Sequence, residues 1–318
     1  MTSGMILYGS RNIFAVRQNE SAETLECRLK GKVLKNAEGF YNPLAPGDRV
    51  QIQTDPEQPG TGMIVALEER KNSFSRFNQK GNCTQLLAAN VDQVLCITTR
   101  RSPPFRPRFL DRVLLQVDIA GIHAIIVCNK IDLDSNSDYD DKLDADERLE
   151  EFKNIGYELA EVSAKTGQGL DMLRRCIAGK RSVFIGQSGV GKSSLLNALV
   201  PGLNIKTGAV NEKYDRGNHT TTLASIVDLP GFSGETWIID TPGMRRFVPD
   251  GIDKEELIVH MREFTPLAGK CTYGLSCSHR NEPGCKIMEA VHAGVIHEDR
   301  YESFLRIFDE LAGKNSAD

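Results

Sequence analysis

Eight consecutive residues, Gly186-Gln187-Ser188-Gly189-Val190-Gly191-Lys192-Ser193, carry the most specific chemistry in this chain. They match G-x-x-x-x-G-K-[ST], follow a short apolar run (Ser182 to Ile185) and precede a helical one that opens with Ser194, which is the strand-to-helix setting the motif requires. Glycines let backbone N–H groups converge on α- and β-phosphates, Lys192 reaches toward the β/γ oxygens, and the Ser193 hydroxyl suits Mg²⁺. Phosphate binding alone does not name the base.

Asn129-Lys130-Ile131-Asp132 supplies the base. In N-K-x-D spacing a carboxylate accepts from N1–H and N2–H₂ of guanine while the lysine stem lies along the ring. Adenine has no matching donors, so a buried Asp132 would lose its partners against ATP. Ser163-Ala164-Lys165, after the expected strand Glu158 to Val162, fits a companion loop whose backbone N–H groups contact guanine O6. Asp240-Thr241-Pro242-Gly243, after the strand Trp237 to Ile239, places Asp240 in the outer shell of Mg²⁺ and the Gly243 N–H near a γ-phosphate. Between the two phosphate loops lies Arg216-Gly217-Asn218-His219-Thr220-Thr221-Thr222. Thr221 is the expected magnesium ligand there, and His219 is either a catalytic neighbour or a plain loop residue.

Three cysteines crowd near the C-terminus as Cys271-x5-Cys277-x-His279-x5-Cys285. Three thiolates and one imidazole make a closed tetrahedral set, so one structural Zn²⁺ is expected, stapling a segment too small to hold itself by core burial. Free thiols or a redox pair is the competing reading. Cys27, Cys83, Cys96, Cys128 and Cys176 are scattered, several of them in apolar runs, and read as small buried hydrophobes. His260, His292 and His297 lack partners in sequence and read as packing or surface residues.

The elements that must position these groups fall into three stretches. With 318 residues, two domains and an appendage are expected. Residues 1–85 alternate short strands such as Thr24 to Lys30 and Val50 to Gln53 with turns, which suggests a small antiparallel β-barrel, OB-like or SH3-like. Residues 86–249 alternate buried strands with helices such as Phe109 to Ala120, giving an α/β domain. Residues 250–318 hold the metal cluster and helices, the last with a stripe at Tyr301, Phe304, Leu305 and Phe308.

Composition narrows the class. The chain is 40% hydrophobic and 26% charged with net charge −4, which excludes a disordered chain and a bulk polycation. No apolar run is long enough for a membrane span, so a cytoplasmic protein that binds no membrane is expected. The first stretch does carry a small cation surplus, 11 Lys and Arg against 9 Asp and Glu. Within it Arg70-Lys71-Asn72-Ser73-Phe74-Ser75-Arg76-Phe77 interleaves cations with two rings, which reads either as an RNA contact or as a solvated linker. The acidic run Asp132 to Glu151 reads as a solvated face.

The order of the motifs is unusual. In an ordinary G domain the phosphate loop comes first; here N-K-x-D and Ser-Ala-Lys precede it, which means circular permutation. The loop holding Asp240 to Gly243 is then followed directly by the C-terminal stretch, so a γ-phosphate-dependent shift pulls on whatever comes next. A permuted G domain between a barrel and a Cys-Cys-His-Cys segment resembles the RsgA/YjeQ family of bacterial ribosome-associated GTPases. Ala88 to Gln93, Phe109 to Arg112 and Arg216 to Thr222 are similar to family signatures. The resemblance implies binding of GTP and GDP with Mg²⁺, and hydrolysis stimulated by the 30S subunit during its late maturation. It also implies an N-terminal OB fold and a zinc domain that grip 16S rRNA, in a monomer that does not bind DNA. Met244 stands where many GTPases carry a water-orienting glutamine, and Arg245 to Pro249 offer no histidine, leaving that task to switch I near His219 or to the subunit. A P-loop kinase or ATPase and a zinc-dependent RNA-binding protein with a passive GTP clamp are the competing readings.

Overall fold

The computed structural model describes residues 1–10, 12–31, 39–136, 139–203, 205 and 224–314. Strands β1 (Thr2–Ser10), β2 (Ile13–Gln18), β3 (Thr24–Leu29), β5 (Arg49–Thr54) and β6 (Thr61–Leu67) close a barrel in the order β1-β2-β3-β6-β5. All pairs are antiparallel except β3 with β6, the OB arrangement. The alternation that marked β3 holds: Leu25 and Cys27 are buried beside Ile6, Phe14, Val50, Ile52 and Ile64, while their neighbours face outward.

Strands β4 (Phe40–Asn42), β7 (Ser73–Asn78) and β8 (Cys83–Ala89) form a separate sheet in the order β4-β8-β7. Here the structure corrects the reading of Arg70 to Phe77. Phe74 is fully buried and stacks on Phe247 with centroids 5.9 Å apart, so its ring is core and not a base platform. Arg70 donates to both oxygens of the buried Asp48 at 2.7 and 2.8 Å and to Pro43 O. Arg76 donates to Gln85. The segment is a strand wedged between barrel and sheet domain, and only Lys71 keeps an exposed charge, loosely paired with Asp92 at 3.5 Å.

The central sheet has six strands: β9 (Gln93–Thr98), β10 (His123–Cys128), β11 (Glu158–Glu161), β12 (Arg181–Gly186), β13 (Ser225–Asp228) and β14 (Trp237–Asp240). Their order is β11-β10-β9-β12-β14-β13, all parallel except the edge strand β13. Runs such as Ile125-Ile126-Val127 are buried on both faces, as a parallel sheet covered by helices demands. Helix α1 (Pro107–Ile119) packs on one face, and α3 (Leu170–Ile177) and α4 (Lys192–Leu199) on the other. β10, β12 and β14 each end where a sequence motif begins, so all three motifs leave the same carboxyl edge of the sheet.

The C-terminal elements are α5 (Leu257–His260), α6 (Lys286–His292) and α7 (Glu298–Lys314); α2 (Tyr139–Asn154) precedes β11. Phe304, Ile307 and Leu311 of α7 share a core with Phe264, Met261 and Leu115 of α1. Beside it lies a buried ion network that no local pattern announced. Arg300 of α7 donates to Asp111 of α1 at 2.7 Å and to Glu263 at 2.6 Å, while Arg148 of α2 reaches Asp111 at 3.4 Å. Among the described residues no helix is long and apolar enough to cross a membrane.

Candidate functional site

The phosphate loop turns from β12 into α4 through Gly191, which sits at φ +95° where a Cβ would lie 2.4 Å from Asn129 Nδ2. Only glycine permits that approach. No side chain caps α4, so the N–H groups of its first turn are left to an anion. Lys192 is buried, and its Nζ donates to the loop carbonyls of Gly186 (3.1 Å) and Gln187 (3.3 Å). Ser193 and Ser194 follow on the same turn, half-buried, while Ser188 and Gly189 form the exposed rim.

Lys192 and Asp240 face each other electrostatically across β12 and β14. Burial lowers the Lys192 pKa, and Asp240 opposes that fall. Burial pushes the Asp240 carboxyl up to about 6, and Lys192 opposes that rise. Asp240 Oδ1 and Gln187 Nε2 are buried without a hydrogen-bond partner. Orphaned polar atoms of this kind cost about 1–3 kcal/mol each. Their presence beside an uncapped helix start and a buried lysine fits a ligand with phosphate oxygens and a hydrated divalent cation.

The N-K-x-D loop is joined to its neighbours by side chains. Asn129, buried at the end of β10, donates through Nδ2 to Val190 O at 2.9 Å and accepts through Oδ1 from the Ala164 N–H at 3.1 Å. One amide thus couples the phosphate loop to the Ser-Ala-Lys loop. Lys130, at φ +66°, donates to Gly189 O (2.7 Å) and to Ser102 O (2.6 Å). Asp132 accepts from the buried Ser163 hydroxyl at 2.6 Å, and Lys165 Nζ stands 3.9 Å from its other oxygen. Ser163 therefore aims Asp132, a role the sequence did not assign, and the Ser102 carbonyl that anchors Lys130 carried no signal at all.

The Asp240-Thr241-Pro242-Gly243 loop lies against the phosphate loop. Thr241 donates from its N–H and hydroxyl to Phe184 O (3.3 and 2.6 Å), and the Met244 N–H donates to Gly186 O at 3.2 Å. A Cβ on Gly243 would sit 2.7 Å from Ser188 Cα, so the two loops touch backbone to backbone. Met244 is buried, with its sulfur 3.7 Å from Arg76 Nη1, which takes it out of reach of any water-orienting task. Beyond it Phe247 stacks on Phe74, and the Phe77 N–H donates to Val248 O at 3.0 Å. His219, Thr221 and the rest of Arg216 to Thr222 lie outside the described residues.

Cys271, Cys277, His279 and Cys285 are buried, and their ligand atoms all lie within 4.8 Å of one another. His279 Nδ1 is 3.6 Å from the sulfurs of both Cys271 and Cys285, which stand 4.0 Å apart. A zinc tetrahedron with metal–sulfur bonds of about 2.3 Å has edges of about 3.8 Å, so the donor set fits. Burial and the two neighbouring thiols push the Cys277 thiol up to about 12, the environment of a cluster that needs a cation to become thiolate. Around it the Lys286 N–H donates to Cys271 Sγ at 3.3 Å, and Tyr301 donates to His279 O at 2.6 Å. Glu282 ties the intervening turn by accepting from the Ser278 hydroxyl and from the N–H groups of Ser278 and Arg280, and those bonds, the hydroxyl's first, hold its pKa down at about 2.

Residues 67–248 match the family model described as RsgA GTPase. The small ribosomal subunit biogenesis GTPase RsgA of Moorella thermoacetica is 41% identical over 288 residues, covering 91% of this chain and 90% of that protein. The protein of the same name from Gemmatimonas aurantiaca is 37% identical and covers 99% of both chains. Among solved structures, YjeQ from Thermotoga maritima superposes with a TM-score of 0.72 at 33% identity, over 98% of this chain and 99% of that one. YloQ, a circularly permuted GTPase, superposes with a TM-score of 0.66 at 26% identity, over 99% and 96%.

Proposed function

The chain belongs to the RsgA GTPase family, and on that premise we propose that it is a nucleotide switch in late maturation of the 30S ribosomal subunit. It is a GTP hydrolase that binds guanine nucleotides. The observation that carries the reading is Asn129, whose amide joins the phosphate loop at Val190 to the Ser-Ala-Lys loop at Ala164. That coupling supports a single site in which Asp132 reads the base and Lys192 binds the phosphates of one guanosine triphosphate.

In this reading Asp132, aimed by Ser163, accepts from guanine N1–H and N2–H₂, and the Ala164 and Lys165 backbone addresses O6. The N–H groups of Gly189 to Ser194 hold the phosphates. Lys192 leaves the Gly186 and Gln187 carbonyls to neutralise β- and γ-oxygens, and the Gly243 N–H senses the γ-phosphate. Ser193 and Thr221 would ligate Mg²⁺ with Asp240 supporting the site, and the ion would supply charge neutralisation to the phosphates. Since Met244 is apolar and buried, the attacking water is oriented by switch I near His219 or by the subunit itself.

Cys271, Cys277, His279 and Cys285 would hold one structural Zn²⁺. Residues 1–85, 86–249 and 250–318 are the working units, the first and last gripping 16S rRNA while the protein acts as a cytoplasmic monomer. With Arg70 and Phe74 committed inside the fold, the exposed Arg28 of β3 and Lys30 just after it are the barrel's phosphate contacts. Steady-state GTP turnover with and without purified 30S subunits tests the proposal: stimulation by the subunit is expected, and equal slow rates in both would overturn it.

A further inference from the structure

Between the start of α1 and the loop that follows Gly243 lies a cavity of about 380 Å³, open to solvent. Phe105, Arg106, Arg108 and Phe109 form one wall, and Arg245 and Arg246 another. The two rings are half-buried and packed on the sheet-domain core, so they are held rigid. Helix α1 begins here at Pro107 with no capping side chain, which adds its partial positive charge to the guanidinium groups.

The cations differ in how committed they are. Arg108 pairs with Glu302 at 2.7 Å, Arg246 with Glu310 at 2.8 Å, and Arg112 at the cavity's edge with Glu310 at 2.6 Å. Among the described residues Arg106 and Arg245, on opposite walls, are exposed and have no ion-pair partner. Among the described residues Asp299 is the single carboxylate lining the space, and it stands 3.6 Å from Arg108. The cavity therefore keeps a cationic surplus, and none of its residues belongs to the guanine or phosphate loops described above.

We propose that this cavity takes one nucleotide of single-stranded RNA, its phosphate between Arg106 and Arg245 and its base against Phe105 and Phe109. The proposal rests on the ribosomal reading and names a contact site for it. Uncommitted guanidinium groups suit a phosphodiester, and rigid rings beside them suit a stacked base. An acidic peptide would satisfy the cations and leave the rings unused. The site adjoins Arg245 and Arg246, two and three residues beyond the glycine that touches the phosphate loop, so RNA bound here bears directly on the γ-phosphate-sensing loop.

The test uses the full chain and a fluorescein-labelled 12-residue oligouridylate, read by anisotropy across a salt series. Arg106→Gln with Arg245→Gln removes two exposed charges and breaks no ion pair of the described fold; an unchanged thermal midpoint checks folding. Lys153→Gln with Arg175→Gln, two exposed charges elsewhere on the same domain, is the control. The cavity pair is expected to weaken binding about tenfold and flatten the salt slope by about 0.7, for one phosphate contact on a single strand, with the control pair near wild type. No binding by the wild type, equal loss in both pairs, or equally tight binding of polyglutamate with the same loss would each overturn it. If the cavity pair binds the oligomer normally while 30S subunits still stimulate wild-type GTP turnover, this site fails and the ribosomal reading stands.

Discussion

Arg246, six residues beyond Asp240, lies 2.8 Å from Glu310 of α7, and the same carboxylate holds Arg112 of α1 at 2.6 Å. The segment after the Asp240 to Gly243 loop is therefore fastened to the last helix through a shared anion. Circular permutation is what makes this possible, because the loop is followed in sequence by the C-terminal stretch and not by another strand of the sheet. On the other side Phe247 and Val248 of the same segment meet Phe74 and Phe77 of β7. In the proposed switch a γ-phosphate-dependent shift would have two outlets, one toward the helices beside the Cys-His cluster and one toward the barrel.

Glu310→Gln tests the first outlet. Arg246 is 61% exposed and its pair is screened by solvent, whereas Arg112 and Glu310 are both about 15% exposed, so most of the stability loss, about 1 kcal/mol, comes from the α1 pair. Subunit-stimulated GTP turnover should fall about threefold or more while unstimulated turnover stays near wild type. Equal effects on both rates, measured side by side, would show that the contact is only structural.

Asp111→Ala is expected to be the most damaging single change outside the nucleotide loops. It leaves Arg300 and Arg148 as buried charges without their shared carboxylate, a loss of about 3–5 kcal/mol in urea unfolding. Arg300→Met should be similarly severe. The double variant should cost clearly less than the sum of the two, since each single change strands the other's partner.

That network also marks where sequence reading stops. The phosphate, base and metal loops were legible because each packs its chemistry into a few adjacent residues bounded by a strand end. Asp111 and Arg300 are 189 residues apart, and each looks like an ordinary solvated charge in its own helix. Arg70 to Phe77 misled for the opposite reason: a local pattern of cations and rings suits RNA, yet tertiary contacts with Asp48, Gln85 and Phe247 consume it. β4 and α6 are too short to show a period at all. Ser163 carries a local signal through the Ser-Ala-Lys pattern, but its grip on Asp132 depends on two strand ends meeting in space.

Asp92→Asn should change the acid limb of stability. Arg181 holds the Asp92 carboxyl down at about 2, against an ordinary 3.8, through hydrogen bonds from its guanidinium and backbone. A depressed pKa contributes stability that is present above about pH 4 and lost as pH falls toward 2. With Asp92 and Arg181 about a quarter exposed, the contribution is about 1–2 kcal/mol at neutral pH. The variant should be less stable than wild type by that amount at pH 7, and the gap should close by pH 2 in unfolding midpoints followed across the range.

Removing the metal should act locally. Elemental analysis is expected to return one zinc per chain, and Cys277→Ser or a strong chelator should release it and loosen the packing of α6 and α7 around His279. RNA affinity should drop while GDP affinity changes by less than about twofold, because the nucleotide loops sit on the sheet edge and share no ligand with the cluster. Loss of both in parallel, measured by titration of the same preparation, would show instead that the cluster supports the G domain core.

Asp132→Asn probes the base site with a change of one atom. In the proposed site guanine presents N1–H and N2–H₂ to the Asp132 carboxylate, which accepts from the Ser163 hydroxyl at 2.6 Å. An amide in its place keeps one acceptor and adds a donor that faces the N2 amino group, so GTP and GDP affinity should fall about a hundredfold or more. Xanthine carries a carbonyl where guanine carries that amino group, so XDP should bind the variant better than the wild type. ATP should gain nothing, since adenine offers neither group at that edge. Titration of the four nucleotides on both proteins gives the answer: a variant that loses GDP without gaining XDP has lost the loop's structure, and one that keeps GDP places the base elsewhere.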